Sequence, residues 1–106
     1  MLKRTLWAEA FPPGDFVREE LEARGWTQGD LARIIGRPLQ VVNQLINGRK
    51  QLTAPMAMAL GEAFGTGPEF WINLEGLYRL WLVGKPDPAI ARRAAAAARR
   101  TTGKAA

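Results

Sequence analysis

The chain has 106 residues, of which 47% are apolar, so it has room for one domain with one modest core. It contains no cysteine and no histidine, which excludes disulfides, thiolate chemistry, imidazole metal ligation and histidine general-base catalysis. No segment has the apolar length of a signal peptide core or of a membrane helix, which needs roughly 18 apolar residues, so we expect a soluble cytoplasmic protein.

The net charge of +5 is unevenly distributed along the chain. Residues 1–83 hold nine Lys/Arg against nine Asp/Glu, whereas residues 84–106 hold six against Asp87 alone. A binding surface for an anion in the first part must therefore be a local patch.

Proline, glycine and capping residues divide the sequence into short helical segments, and no two-residue alternation predicts a strand. We predict an all-α fold with five helices, near residues 13–25, 27–36, 38–47, 53–65 and 68–84. Residues 1–12 would form an N-terminal arm, 13–84 the domain and 85–106 a basic tail rich in Ala and Arg. The side chains expected in the core are Phe16, Val17, Leu21, Leu31, Ala32, Ile35, Val42, Leu45, Met56, Leu60 and Phe64.

Cap residues predict several of these helix ends. Thr27, followed by Asp30, and Thr53 are suited to helix starts, and Pro38 is suited to a first helical turn. Asn47 and Gly48 both tolerate a left-handed helix end.

The tail from residue 89 onward has good helix propensity because it is rich in alanine. Its one large apolar residue is Ile90, so it has almost nothing to bury. We expect the tail to be frayed or disordered unless a partner orders it.

The third predicted helix has an uncharged outward surface formed by Leu39, Gln40, Asn43 and Gln44. An amide side chain offers a donor beside an acceptor, which matches the edge of adenine in the major groove of DNA, and a helix fits that groove. Exposed amides are more often plain solvated surface, so this face does not by itself predict DNA binding.

Positive charge surrounds that helix. Arg37, Arg49 and Lys50 are the charged residues between positions 37 and 50, and none is negative. Arg49 and Lys50 follow the helix directly and are well placed for phosphate, as are the free N–H groups at Gln28. The combination predicts DNA binding by residues 27–50.

The run Thr27-Gln28, Asp30-Leu31-Ala32, Gly36 and Asn47-Gly48 resembles the helix-turn-helix of the phage-repressor-like (Xre, Cro/C1) family. The wider match, over about residues 12–82, is closer to the HigA antitoxins of bacterial toxin–antitoxin modules. Its most specific part is Phe70-Trp71-Ile72-Asn73-Leu74.

The resemblance implies a five-helix domain and a homodimer that binds a palindromic operator. It also implies autorepression of an operon that encodes a HigB toxin, an mRNA-cleaving ribonuclease of the RelE type. By position, Gln28 would hold a phosphate, and Leu39, Gln40 and Gln44 would meet base edges beside Asn43. The segment Asn47, Gly48, Arg49 and Lys50 would grip the backbone. Many relatives have Ser or Thr where Arg37-Pro38 stand, so Arg37 would replace a hydroxyl contact.

The fifth predicted helix is rich in large apolar side chains at helical spacing, and part of them must close the core. The excess suits a two-fold contact between protomers. The residues predicted for the dimer interface are Phe70, Trp71, Leu74, Leu77, Tyr78 and Trp81.

The sequence leaves three other functions open. An enzyme is disfavoured, because the acidic residues of the first helix lack a nucleophile, a phosphate loop or a metal set, and no cofactor, metal or small-molecule ligand is expected. A free-standing phage or plasmid repressor would share the same residues 27–50. An antitoxin that binds protein and barely touches DNA is the third, since Leu39 offers only an apolar contact to a base.

The basic tail could bind DNA phosphates, wrap an acidic or active-site surface of a toxin, or do neither.

Overall fold

A computed structural model describes residues 11–103, with side chains up to residue 100, and this part of the chain is helical without strands. The helices are α1 (Pro13–Arg24), α2 (Gln28–Ile35), α3 (Leu39–Ile46), α4 (Ala54–Phe64), α5 (Pro68–Val83) and α6 (Pro88–Gly103). The predicted all-α fold is confirmed, and the first five helices occupy the predicted segments. Most of the predicted N-terminal arm, residues 1–12, lies outside the described residues.

Local capping explains where α2 and α4 begin. Thr27 and Thr53 are the N-caps of α2 and α4, and their hydroxyls accept the backbone N–H of the third helical residue.

Two predicted helix ends differ in detail from the structure. Pro38 is the N-cap of α3, with an extended ψ of 147°, and not its first helical residue. Asn47 has φ −88°, and Gly48 alone takes the left-handed conformation, because it has no Cβ to clash.

The core draws on all five helices of the domain. Each contributes one completely buried large side chain: Val17, Leu31, Val42, Leu60 and Trp71. The predicted core residues lie there, with Ile35 partly buried at its edge. Ile46 and Leu52 are also buried, although the sequence pattern does not single them out.

Two glycines let helices approach more closely than any other residue would allow. A Cβ on Gly14 would lie 2.5 Å from the carbonyl oxygen of Ile46, so the first turn of α1 rests on the last turn of α3. A Cβ on Gly61 would lie 2.5 Å from the carbonyl carbon of Gly67, just before α5. The position of α3 therefore depends on backbone contact with α1 as well as on its own buried side chains.

The tail differs from the prediction. Residues 88–103 form the helix α6, so the expectation of a disordered segment is wrong for the described part of the tail. Asp87 starts this helix by accepting the backbone N–H of Ala89 at 2.9 Å. None of the other described helices packs extensively against α6, so its conformation rests on alanine propensity and this cap. None of the described helices combines the length and the hydropathy of a membrane span.

Candidate nucleic-acid interface

Helices α2 and α3 form a tight pair whose relative position is set by buried side chains. Leu31 and Ala32 of α2 and Val42 and Leu45 of α3 are all less than 10% exposed. The turn between the helices is closed by the N–H of Arg37, which donates to the carbonyl of Ala32 at 3.0 Å. Since the buried side of α3 is fixed in the core, its opposite side is held in one orientation toward solvent.

The outward side of α3 carries the residues predicted to meet base edges. Leu39, Gln40 and Asn43 are exposed and Gln44 is partly exposed. Their spacing places them on neighbouring positions of one helical surface. Leu39 is 54% exposed and offers only an apolar contact.

A chain of amide hydrogen bonds links α2 to the end of α3. Nδ2 of Asn43 donates to Oε1 of Gln28 at 3.2 Å, and Nδ2 of Asn47 donates to Oδ1 of Asn43 at 3.2 Å. The sequence predicts each of these residues for the site but not the bond from Asn43 to Gln28, because it joins residues 15 positions apart. The bonds restrict these three accessible side chains before any ligand binds, so less conformational entropy is lost on binding.

The first turn of α2 is closed by a reciprocal cap. The N–H of Asp30 donates to Oγ1 of Thr27 at 3.0 Å, and the N–H of Thr27 donates to Oδ2 of Asp30 at 2.9 Å. The bond from the Thr27 backbone is the main cause that lowers the pKa of the Asp30 carboxyl, and Arg33 adds to it. The N–H groups of Gln28 and Gly29 have no acceptor within the helix, so they are available to an anion.

The cations of the domain fall into two groups. Arg18, Arg24, Arg33 and Arg79 each form an ion pair with a carboxylate three or four residues away on the same helix. Arg37, Arg49 and Lys50 have no acidic partner among the described residues. All the unpaired cations of residues 11–84 therefore flank α3, where the neutral body has its local positive charge.

The predicted dimer surface on α5 needs a correction. Trp71 is 0% exposed and Leu74 is 6% exposed, so the prediction that they contact a second chain is wrong. Trp71 belongs to the core, where its Nε1 donates to Oγ1 of Thr66 at 2.8 Å.

The other predicted interface residues remain accessible. Phe70, Leu77 and Trp81 are exposed, Tyr78 is partly exposed, and the ring of Tyr78 stacks on that of Trp81. Leu80 and Val83, which the sequence pattern does not assign to the interface, are 68% and 78% exposed. The apolar surface is continued by a groove lined by Ile72, Asn73, Gly76, Leu77 and Leu80.

The chain matches known proteins over this same region. The model of the family described as Helix-turn-helix matches residues 17–71. Antitoxin HigA-1 of Vibrio cholerae is 42% identical over 69 residues, which cover 64% of this chain and 65% of that protein, slightly less than two thirds of its length.

Two solved structures agree with that match. An addiction module antidote protein of a HigA family from Coxiella burnetii has a TM-score of 0.64 and 34% identity, and the match covers 68% of this chain and 79% of that one. The antitoxin HigA of Pseudomonas aeruginosa, solved with the higBA promoter, has a TM-score of 0.68 and 30% identity, and the match covers 71% and 83% of the two chains.

These relatives are antitoxins and not enzymes, which confirms that the protein is not an enzyme. Among the described residues, no cluster of acidic side chains could hold a metal ion. The fold, the amide face of α3 and the family match agree with one another. The chain therefore belongs to the helix-turn-helix family and, within it, to the HigA antitoxins.

Proposed function

We propose that the protein is the antitoxin of a type II HigB/HigA module in the bacterial cytoplasm, which binds its own operator as a homodimer and represses its operon. The observation that carries this proposal is the charge distribution around α3. Every unpaired cation of residues 11–84 lies beside the amide face, so the surface suited to base edges is also the one suited to phosphates.

Each part of the surface has a distinct role in this proposal. Gln40 and Gln44 form hydrogen bonds to adenine edges in the major groove, and a good bidentate pair is worth about 1–3 kcal/mol of discrimination. Leu39 contacts a thymine methyl group. Arg37, Arg49 and Lys50 bind the phosphate backbone, as do the first-turn amides of α2.

A homodimer would present two copies of α3 to the DNA. The exposed apolar side chains at the end of α5, with Trp81 54% and Leu80 68% exposed, support a two-fold contact there. Two-fold symmetry of the protein calls for a palindromic operator with half-sites about 10 base pairs, or a multiple, apart.

The second activity in the proposal is neutralisation of a RelE-like toxin that cleaves mRNA. It is supported by the similarity of this chain to antitoxins of Vibrio cholerae and Pseudomonas aeruginosa. Purification of the tagged protein together with the product of a neighbouring toxin gene would test it. Recovery of the protein without that product would favour a free-standing repressor.

DNA reading is tested by titrating the protein against its upstream promoter and against random duplex DNA, at two salt concentrations. We expect saturable, salt-sensitive binding with a preference for the promoter. Gln40→Ala/Gln44→Ala should lose that preference, because the variant keeps the cations but lacks the amides that reach the bases. Met58→Ala is the control, since Met58 is an uncharged, 59% exposed residue on α4.

The titration also discriminates between the candidate functions. Promoter binding no tighter than random binding would contradict sequence-specific repression and favour an antitoxin that acts mainly by binding protein. Promoter preference that survives the double substitution would show that α3 is not the reading helix.

A further inference from the structure

Helix α6 carries all its charged residues on one side. Arg92, Arg93, Arg99 and Arg100 are two adjacent pairs separated by seven residues. At 3.6 residues per turn, a seven-residue step returns to nearly the same side, so the four side chains lie within a sector of about 120°. The rest of the helix between the pairs is alanine. We call this sector the arginine face.

Nothing among the described residues neutralises the arginine face. All four arginines are exposed, and α6 contains no acidic residue. No described carboxylate forms an ion pair with any of them. In the domain, by contrast, most arginines have a carboxylate on the same helix. The sequence thus places four like charges together without counter-charges, which favours a polyanionic partner.

The apolar content of α6 discriminates between an anionic nucleic acid and an acidic protein surface. Tight protein contacts depend on a few buried aromatic or aliphatic anchors. The one large apolar side chain of α6 is Ile90, which lies off the arginine face and is 59% exposed. Phosphate contacts need only the guanidinium groups, which bind phosphate oxygens in pairs of hydrogen bonds.

The linker keeps this charge next to the domain. Residues 84–87 join α5 to α6, and four residues span at most about 14 Å. When the domain is bound to DNA, a short tether holds α6 at an effective concentration on the order of millimolar near the same duplex.

We infer that α6 is a second nucleic-acid contact, in which the arginine face binds the backbone phosphates of duplex DNA without reading the sequence. This inference rests on the proposed function, which brings the protein to DNA, and adds a site outside the helix-turn-helix. Binding through it raises the affinity for operator and for random DNA by the same factor, because phosphates are common to both.

The test compares the full-length wild type with R92Q/R93Q/R99Q/R100Q by fluorescence anisotropy on operator and random duplexes, over about 50–200 mM salt. The slope of log K against log salt should become less negative by about 0.9 for each lost phosphate contact, up to about 3.6 for the four arginines of each protomer and about 7.2 for the eight of a homodimer. The ratio of operator to random affinity should stay the same. The variant R92K/R93K/R99K/R100K should retain most of the slope, since it keeps the charge.

Two controls separate this effect from others. R18Q/R79Q removes cations that already have carboxylate partners and should change the slope much less. Circular dichroism should show that the glutamine variant keeps its helix content, because Arg and Gln have similar helix propensities.

An unchanged salt slope in the glutamine variant would overturn the inference. If that variant also bound the toxin less tightly than the wild type, the arginine face would be a contact for the toxin instead. Failure of the proposed function gives a different result, in which the wild type does not prefer the operator. In that case, comparing the salt slopes of the wild type and the glutamine variant on random duplex still shows whether α6 binds phosphates.

Discussion

Both halves of α5 are rich in large apolar side chains, but the two halves lie in different environments. Trp71 in the first half is completely buried, whereas Trp81 in the second half is 54% exposed. In the first half, the ring of Phe70 meets that of Phe16 on α1 at 6.0 Å, and the ring of Trp71 meets that of Phe64 on α4 at 5.7 Å. Beyond Leu74 the described helices leave the apolar side chains largely uncovered. An apolar stripe therefore indicates a surface that needs a partner, and only the packing shows whether the partner is in the same chain.

The polar faces of α3 and α6 also differ in how the rest of the fold supports them. The opposite side of α3 is anchored in the core by Val42 and Leu45, so its amides point in one fixed direction. No extensive packing fixes α6 in the same way. Reading bases requires a fixed orientation, whereas binding phosphates requires mainly positive charge. The comparison leads us to expect specificity from α3 and unspecific affinity from α6.

The largest expected effect distinguishes the two tryptophans of α5. Trp71→Ala should lower the free energy of unfolding by about 3–5 kcal/mol, because it leaves a large cavity in the core and removes the hydrogen bond from Trp71 to Thr66. Trp81→Ala should cost the protomer about 1 kcal/mol or less, since that side chain is half-exposed. Urea denaturation at several protein concentrations measures both values and separates dimer dissociation from unfolding.

The same pair of variants tests the proposed dimer. Trp81→Ala should sediment as a folded monomer where the wild type sediments as a dimer. A Trp81→Ala protein that remains dimeric would remove Trp81 from the interface.

The next effect concerns the support of α3. Gly14→Ala should destabilise the protein by about 1–3 kcal/mol, because the new Cβ would overlap the carbonyls of Leu45 and Ile46. It should also weaken operator binding, since the last turn of α3 must shift to make room. Gly29→Ala is the matched control for stability, because the nearest atom to its Cβ is Oγ1 of Thr27 at 3.6 Å. Equal melting temperatures for the two variants would show that the contact between α1 and α3 is not tight.

The smallest effect compares the caps of the packed and unpacked helices. Thr27→Ala removes the cap of α2 and should cost about 1 kcal/mol of global stability. Asp87→Ala removes the acceptor at the start of α6 and should reduce helicity in circular dichroism while leaving the melting temperature of the domain unchanged. A lower melting temperature for Asp87→Ala would mean that α6 is coupled to the core.

The helix ends were predictable because capping is local. Thr27, Thr53, Gly25, Gly36 and Gly65 act on groups within a few residues of themselves, so their effect can be read without knowing the fold. The amide face of α3 was predictable for a related reason, since helical periodicity places Val42 and Leu45 opposite Gln40 and Gln44. The disorder expected for the tail was wrong because the propensity of alanine and the Asp87 cap outweighed the lack of buried surface.

The sequence by itself determined the all-helical class, the five helices of the domain, most of its core and the positions that form the outward face of α3. Only the tertiary structure decided which half of α5 is buried, that Gln28 bonds to Asn43, and that Gly14 supports α3. The physical reason is that capping and periodicity depend on neighbours a few positions away, whereas burial, helix contacts and hydrogen bonds between helices depend on residues that the fold brings together from distant parts of the chain.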